Sequence, residues 1–197
     1  MSEPVMGVGF CRPLASRKVA VLATALSLLG VVALSTAAQA ATDAAEPAAF
    51  AIESPRAEKG LMIDVVQAGK RLVAVGDRGH ILYSDDQGAT WVQAKVPTRQ
   101  LLTAVFFIDD QHGWAVGHDA KILASSDAGA TWSEQFKDLS REAPLLDVLF
   151  NDPNHGFAVG AYGALIETTD AGKTWEDVSD RLDNEDQYHL NAIAQVK

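Results

Sequence analysis

The 197-residue chain has a single cysteine, Cys11, and none after its first forty residues. That excludes a disulfide framework, so the rest of the chain must be held by packing and hydrogen bonds alone. Basic charge is also scarce, with 16 Lys and Arg against 26 Asp and Glu. Residues 1–40 carry three of the basic and one of the acidic groups, which leaves 13 against 25 and a net charge of −12. Such a surface repels polyanions, which excludes nucleic acid as a partner and disfavours anionic lipid headgroups. Helical periodicity is nearly missing beyond residue 40, where apolar runs are short, β-rich and broken by Gly, Asp and Asn. Aromatic residues are only 7% of the chain, yet three of its four Trp close the same short motif.

One long apolar run is present, the sixteen residues Val19–Leu34. It follows Arg12, Arg17 and Lys18 and precedes the small-x-small triplet Ala38-Gln39-Ala40. This is the pattern of a secretory signal peptide over residues 1–40, cleaved between Ala40 and Ala41. The run is shorter than the roughly 20 residues of a membrane-spanning helix, and an uncleaved anchor is the alternative. Arg17-Lys18 stands where a twin-arginine signal would have two Arg, so the general secretory route is expected. Cys11 is too far from the junction to carry a lipid anchor. An exported chain without disulfides fits a bacterial periplasm.

Three octets recur: "SDDQGATW" (Ser84–Trp91), "SSDAGATW" (Ser125–Trp132) and "TTDAGKTW" (Thr168–Trp175). Their Trp are 41 and 43 residues apart. Upstream, "LVAVGDRGHIL", "GWAVGHDAKIL" and "GFAVGAYGALI" align and place Gly76, Gly117 and Gly160 at the same spacing. Repeats therefore span about 61–100, 101–144 and 145–189, with a partial fourth over 190–197. Each holds four short strand-like runs; in the second these are Leu102–Ile108, Gly113–Gly117, Lys121–Ser125 and Thr131–Phe136. Four strands in roughly 40–45 residues is the signature of a propeller blade. The expected fold is all-β, a β-propeller of four-stranded blades, with three blades and the start of a fourth present. Residues 41–60 read as a flexible lead-in, with Ala48–Ile52 as a candidate edge strand closing the ring against the last blade.

The octet reads as the turn between a blade's third and fourth strands. Asp86, Asp127 and Asp170 can accept backbone N–H groups one to three residues on. Gly88, Gly129 and Gly172 allow a positive φ. Ser84, Ser125 and Thr168, with Thr90, Thr131 and Thr174, can close the same network. Trp91, Trp132 and Trp175 then face inward between neighbouring sheets. These fifteen residues are expected to be structural.

Every octet matches S/T-x-D-x-G-x-T-W, so the chain resembles proteins built from the Asp-box, or bacterial neuraminidase (BNR), repeat. "HGWAVGHDAKILASSDAGATW" (His112–Trp132) and "HGFAVGAYGALIETTDAGKTW" (His155–Trp175) are similar to the photosystem II stability/assembly factor family. That resemblance covers about 61–197 and implies a propeller of six to seven blades acting as an assembly partner. It also implies that this chain is the N-terminal part of a longer protein, or that further blades come from another chain. Three blades alone would leave two uncovered faces, one presenting apolar side chains of the third repeat. The family is expected to carry a basic docking patch, and the densest basic cluster here is Lys70, Arg71 and Arg78.

Two chemistries were weighed against this. A sialidase-like glycoside hydrolase would need an arginine triad, a Tyr/Glu nucleophile pair and an acid/base Asp. Tyr83, Tyr162, Tyr188, Glu134, Glu142 and Glu167 are available. Arg56, Arg71, Arg78, Arg99, Arg141 and Arg181 do not recur at one blade position. A metal site could draw on Asp109, His112, His118, Asp119 and His155, but Asp, Asn, Pro and Gly around them are what turns require. The sequence points to a non-catalytic, exported propeller without cofactor or metal, binding a protein partner at a membrane complex. A sialidase-like glycoside hydrolase and a carbohydrate-binding propeller are the alternatives.

Overall fold

The computed structural model describes residues 49–196. The expected signal segment 1–40, the Ala40–Ala41 junction, residues 41–48 and Lys197 lie outside the described residues. The described chain is all-β, with short 3-10 turns between strands. It forms three antiparallel four-stranded sheets, each a meander in chain order. The first holds β1 (Met62–Ala68), β2 (Arg71–Gly76), β3 (Ile81–Ser84) and β4 (Val92–Gln93). The second holds β5 (Leu102–Phe107), β6 (Gly113–Gly117), β7 (Lys121–Ser125) and β8 (Ser133–Phe136). The third holds β9 (Leu145–Phe150), β10 (Gly156–Gly160), β11 (Leu165–Thr168) and β12 (Glu176–Asp177). These are propeller blades.

The first strands of successive blades, β1, β5 and β9, lie beside one another and form the inner wall. Each skips one residue against its neighbour strand at the same step, at Ile63, Thr103 and Leu146. Such a bulge sharpens the local twist and re-aims the next side chain. The glycine ending each second strand is there because the inner strand passes too close for a side chain. A Cβ on Gly76, Gly117 or Gly160 would sit 2.0, 2.2 or 2.3 Å from the carbonyl oxygen of Leu61, Leu101 or Pro144.

The core lies between blades. Val73, Val75 and Ile81 of the first meet Leu102, Ala115, Leu123 and Trp132 of the second. Trp114, Val116 and Ile122 of the second meet Leu145, Phe150, Ile166 and Trp175 of the third. Phe150 stacks on Trp114 with ring centres 3.5 Å apart and takes Trp175 edge-on at 5.8 Å. Trp132 and Trp175 thus each join a cluster shared with the blade before their own. Among the described residues no blade precedes Trp91, which is only half-buried.

Two expectations change here. The lead-in, over its described part, is tied down: Ala51 donates its N–H to the Val96 carbonyl at 2.9 Å, and the Gln93 side chain bonds both Ile52 and Ser54. It therefore lies along the outer part of the first blade rather than against the last. The uncovered apolar side chains are mainly on the first blade, not the third. Val65 is 57% exposed, whereas its counterparts Val105 and Val148 are 6% and 3% exposed. On the third blade, Phe157 and Leu165 are half-buried.

Candidate functional site

The three octets fold into superposable hydrogen-bond networks. In the first, the Ser84 hydroxyl donates to Asp86 Oδ1 at 2.7 Å and accepts the Gly88 N–H at 2.8 Å. Asp86 Oδ1 accepts the Thr90 N–H at 2.8 Å and Oδ2 the Thr90 hydroxyl at 2.6 Å. Ser125, Asp127, Gly129 and Thr131 repeat all four bonds at 2.8, 2.9, 2.9 and 2.6 Å. Thr168, Asp170, Gly172 and Thr174 repeat them at 2.9, 2.9, 2.9 and 2.7 Å. The carboxylate thus bonds the N–H four residues on, while the Ser or Thr hydroxyl takes the amide of the intervening glycine. The glycines have φ of 91°, 81° and 80°. The residue before each, Gln87, Ala128 or Ala171, is also left-handed at 59°, 57° and 64°, a second conformational demand that the sequence does not advertise.

These bonds favour the ionised carboxylate. The Asp86 carboxyl is pulled down to about 2 by the Thr90 hydroxyl first, then the Thr90 amide and the Ser84 hydroxyl. Asp170 is lowered by the amide and hydroxyl of Thr174. Burial pushes Asp127 up, but hydrogen bonds from Thr131 and Ser125 outweigh it and leave it lowered.

The second and third networks are clamped to the preceding blade. Lys95 and the second octet exchange two backbone bonds, Lys95 N–H to Ala130 and Trp132 N–H to Lys95, at 3.1 and 3.0 Å. Arg71 donates to the Ala128 carbonyl at 3.2 Å. One blade on, Gln135 accepts the Trp114 indole N–H at 3.1 Å and donates to the Ala171 carbonyl at 3.2 Å. Sequence reading left Trp114 and Gln135 without a role. It also missed Asp64 and Asp147, whose placement in otherwise apolar strands of the first and third repeats was the available signal.

Several of the groups that could serve catalysis are paired with neighbours on separate blades, while the side chains of Glu142 and Tyr188 are exposed. Tyr83 lies under the Arg71 guanidinium at 4.1 Å, and Arg71 also grips Asp85 at 2.7 and 2.8 Å. Glu134 pairs with Lys121, and Arg141 with Asp177. Glu167 is bonded by His155 at 2.8 Å and Arg181 at 2.5 Å, which together hold its carboxyl below the usual range. His112 Nδ1 sits 2.9 Å from Asp109, whose carboxyl is lowered chiefly by the backbone amides of His112 and Gln111 in the same turn. Tyr162, at the β10–β11 turn, packs edge-on against His189 at 5.1 Å. Among the described residues no three His, Asp or Glu side chains converge as metal ligands. Nor is there a basic cluster at Lys70, Arg71 and Arg78. Arg71 opens β2, and Arg78 lies past its far end, five residues of strand or about 17 Å away.

A cleft of about 550 Å³ opens between the second and third blades. Asp109, His112, Ser126, Gln135 and Asn154 line it, with the buried Trp114 behind. It offers hydrogen-bonding groups to a ligand but no free aromatic face for a sugar, because Trp114 is stacked on Phe150.

Repeated blades that each carry an Asp-box turn define this chain as a β-propeller of the BNR type. The BNR/Asp-box repeat model matches residues 82–93, and the model for photosynthesis system II assembly factor YCF48 matches residues 88–143 and 134–196. The chain belongs to the YCF48 assembly-factor family. Among solved structures it is similar to YCF48 bound to D1 peptide, at 21% identity and a TM-score of 0.55, over 67% of this chain and 43% of that one. It is similar to YCF48 from Cyanidioschyzon merolae at 20% identity and 0.48, over 60% and 40%. An ancestral GH74 enzyme matches at 14% identity and 0.50, over 60% and 18%. At these identities the likeness shows the fold. The chain spans less than half the length of each of the three. No curated protein matches the chain.

Proposed function

We propose that the protein is an exported, non-catalytic propeller scaffold that binds a protein partner during assembly of a membrane complex. The observation that carries this is membership of the YCF48 family together with octets whose side chains are used up in holding blades. One relative's structure is of YCF48 bound to D1 peptide, which supports a protein segment as the ligand here too. The basic n-region and Ala38-Gln39-Ala40 support export to the periplasm. The GH74 likeness carries no hydrolase reading here, since the nominated acids Glu134 and Glu167 are held in ion pairs on different blades.

Cell fractionation with photo-crosslinking tests this reading in the native host. The expected product is a periplasmic species beginning at Ala41, joined to a membrane-complex subunit. Retention in the cytoplasm, or turnover of fluorogenic glycosides by the purified protein, would overturn it.

A further inference from the structure

A second cavity, of about 320 Å³, lies on the first blade between the lead-in and the turn joining β2 to β3. Its walls include Ile52, Pro55, Arg78, His80 and Arg99, and the exposed Glu53 also lines it. Two guanidiniums facing one small space are unusual on a chain of net charge −10. Arg78 is 82% exposed, and its nearest acid, Asp77, is 3.7 Å away. It occupies the tip of the turn in a left-handed conformation, φ 55°. Gly79 behind it packs so tightly that a Cβ would lie 2.1 Å from the Thr98 carbonyl oxygen, which fixes the turn. The matching tips of the other blades are Asp119 and Tyr162, so the cation is particular to this one. Arg99 spends its Nε on the Phe50 carbonyl at 2.9 Å, and its terminal nitrogens have no acceptor among the described residues.

His80 supplies an independent sign of a ligand. It is 5% exposed and lines the cavity, and its buried Nδ1 has no hydrogen-bond partner among the described residues. Its Nδ1 is 4.0 Å from Asp77 Oδ1, itself unpartnered. Buried polar groups are rarely left this way unless something else completes them.

We propose that this cavity binds a single carboxylate carried beside a small apolar group. Guanidiniums recognise a carboxylate through paired N–H donors, and His80 adds a third polar contact. Ile52 and Pro55 supply the apolar wall. Glu53 and Asp77, with the acidic surface, reject polyanions such as phosphate esters or sulfated sugars. The volume equals about ten water molecules and is at the small end of ligand cavities, enough for one amino-acid-sized group. A peptide chain end and a free small acid share this chemistry. The inference stands on the cavity alone and survives if the scaffold role fails.

Calorimetric titration of the intact protein with N-acetyl-leucine, acetyl-Gly-Gly-Leu and the C-terminal amide of that tripeptide tests it. Both free acids should bind, the amide at least tenfold more weakly, and the His80 ring resonances should move on saturation. R78E should weaken binding at least tenfold without changing the melting temperature, and R99Q should weaken it in the same direction. A tripeptide tighter than N-acetyl-leucine assigns the site to a chain end; equal affinities assign it to a small acid. Equal binding of acid and amide, parent affinity in R78E, or no binding of either acid at millimolar concentration would overturn the proposal.

Discussion

The carboxylate of Asp147 accepts the backbone N–H of Ile193 at 2.9 Å, as Asp64 accepts that of Val105 on the next blade's inner strand at the same distance. Both aspartates follow the bulge in their strand. Residues 190–193 therefore lie on the third blade where Leu102–Val105 lies on the first, in the place of an inner strand. Between the second and third blades the position after the bulge is Ala104, and the Thr103 hydroxyl bridges instead to the Leu145 carbonyl at 2.6 Å.

Removing this tie should be costly in proportion to the amide it leaves unpaired. Asp64→Ala should lower stability by about 1–3 kcal/mol, and Asp64→Asn, which keeps an acceptor, by less. Urea unfolding measures both. Asp147→Ala should speed hydrogen exchange at Ile193 while the amides of β10 stay protected. Unchanged exchange at Ile193 would refute the docking.

The octet tryptophans should differ although their motif is the same. Trp132→Ala should cost about 3–5 kcal/mol because the ring is buried between two blades. Trp91→Ala should cost clearly less, the ring being only half-buried. Phenylalanine separates a second effect. The Trp132 indole donates to the Gly129 carbonyl at 2.9 Å, whereas the buried Trp175 indole N–H has no partner. Trp132→Phe should therefore destabilise more than Trp175→Phe in parallel thermal melts.

The hydroxyl that opens the octet is the hub for the nearer amides. Ser125→Ala strands the Gly129 N–H in a buried position and should cost about 1–3 kcal/mol. Ser125→Thr should be close to neutral, since Thr168 makes the same bonds in the third blade. Equal loss in both variants, read from chemical denaturation, would place the effect in packing rather than hydrogen bonding.

Acid should loosen the turns in a defined window. The Asp86 carboxyl lies near about 2 when folded, against 3.8 as the reference for an unperturbed side chain. A folded value below the unfolded one contributes stability that is complete above the unfolded value and lost as the pH falls through the folded one. The melting temperature should hold down to about pH 4 and fall between about pH 4 and 2. Asp86→Asn should shrink that fall in a series of melts across this range. A melting temperature that rises on acidification below about pH 4 would contradict it.

Local sequence was enough for the blades and their turns. A run of β-formers, a Gly-Asp-Ser break and a Trp recur at a near-constant period, and each turn closes through residues within eight positions of one another. Strand bounds in the second repeat could be read almost to the residue for the same reason: alternation and turn chemistry are short-range properties. What joins blades is long-range. The bonds from Asp64 to Val105, Arg71 to Ala128 and Gln135 to Ala171 span 41, 57 and 36 residues, and no spacing rule marks their partners. The fate of Arg71 and Arg78, neighbours in sequence but set at opposite ends of a strand, depended on how the chain was laid out. So did the cavity at Arg78, His80 and Arg99, which forms only because the lead-in folds back over the first blade.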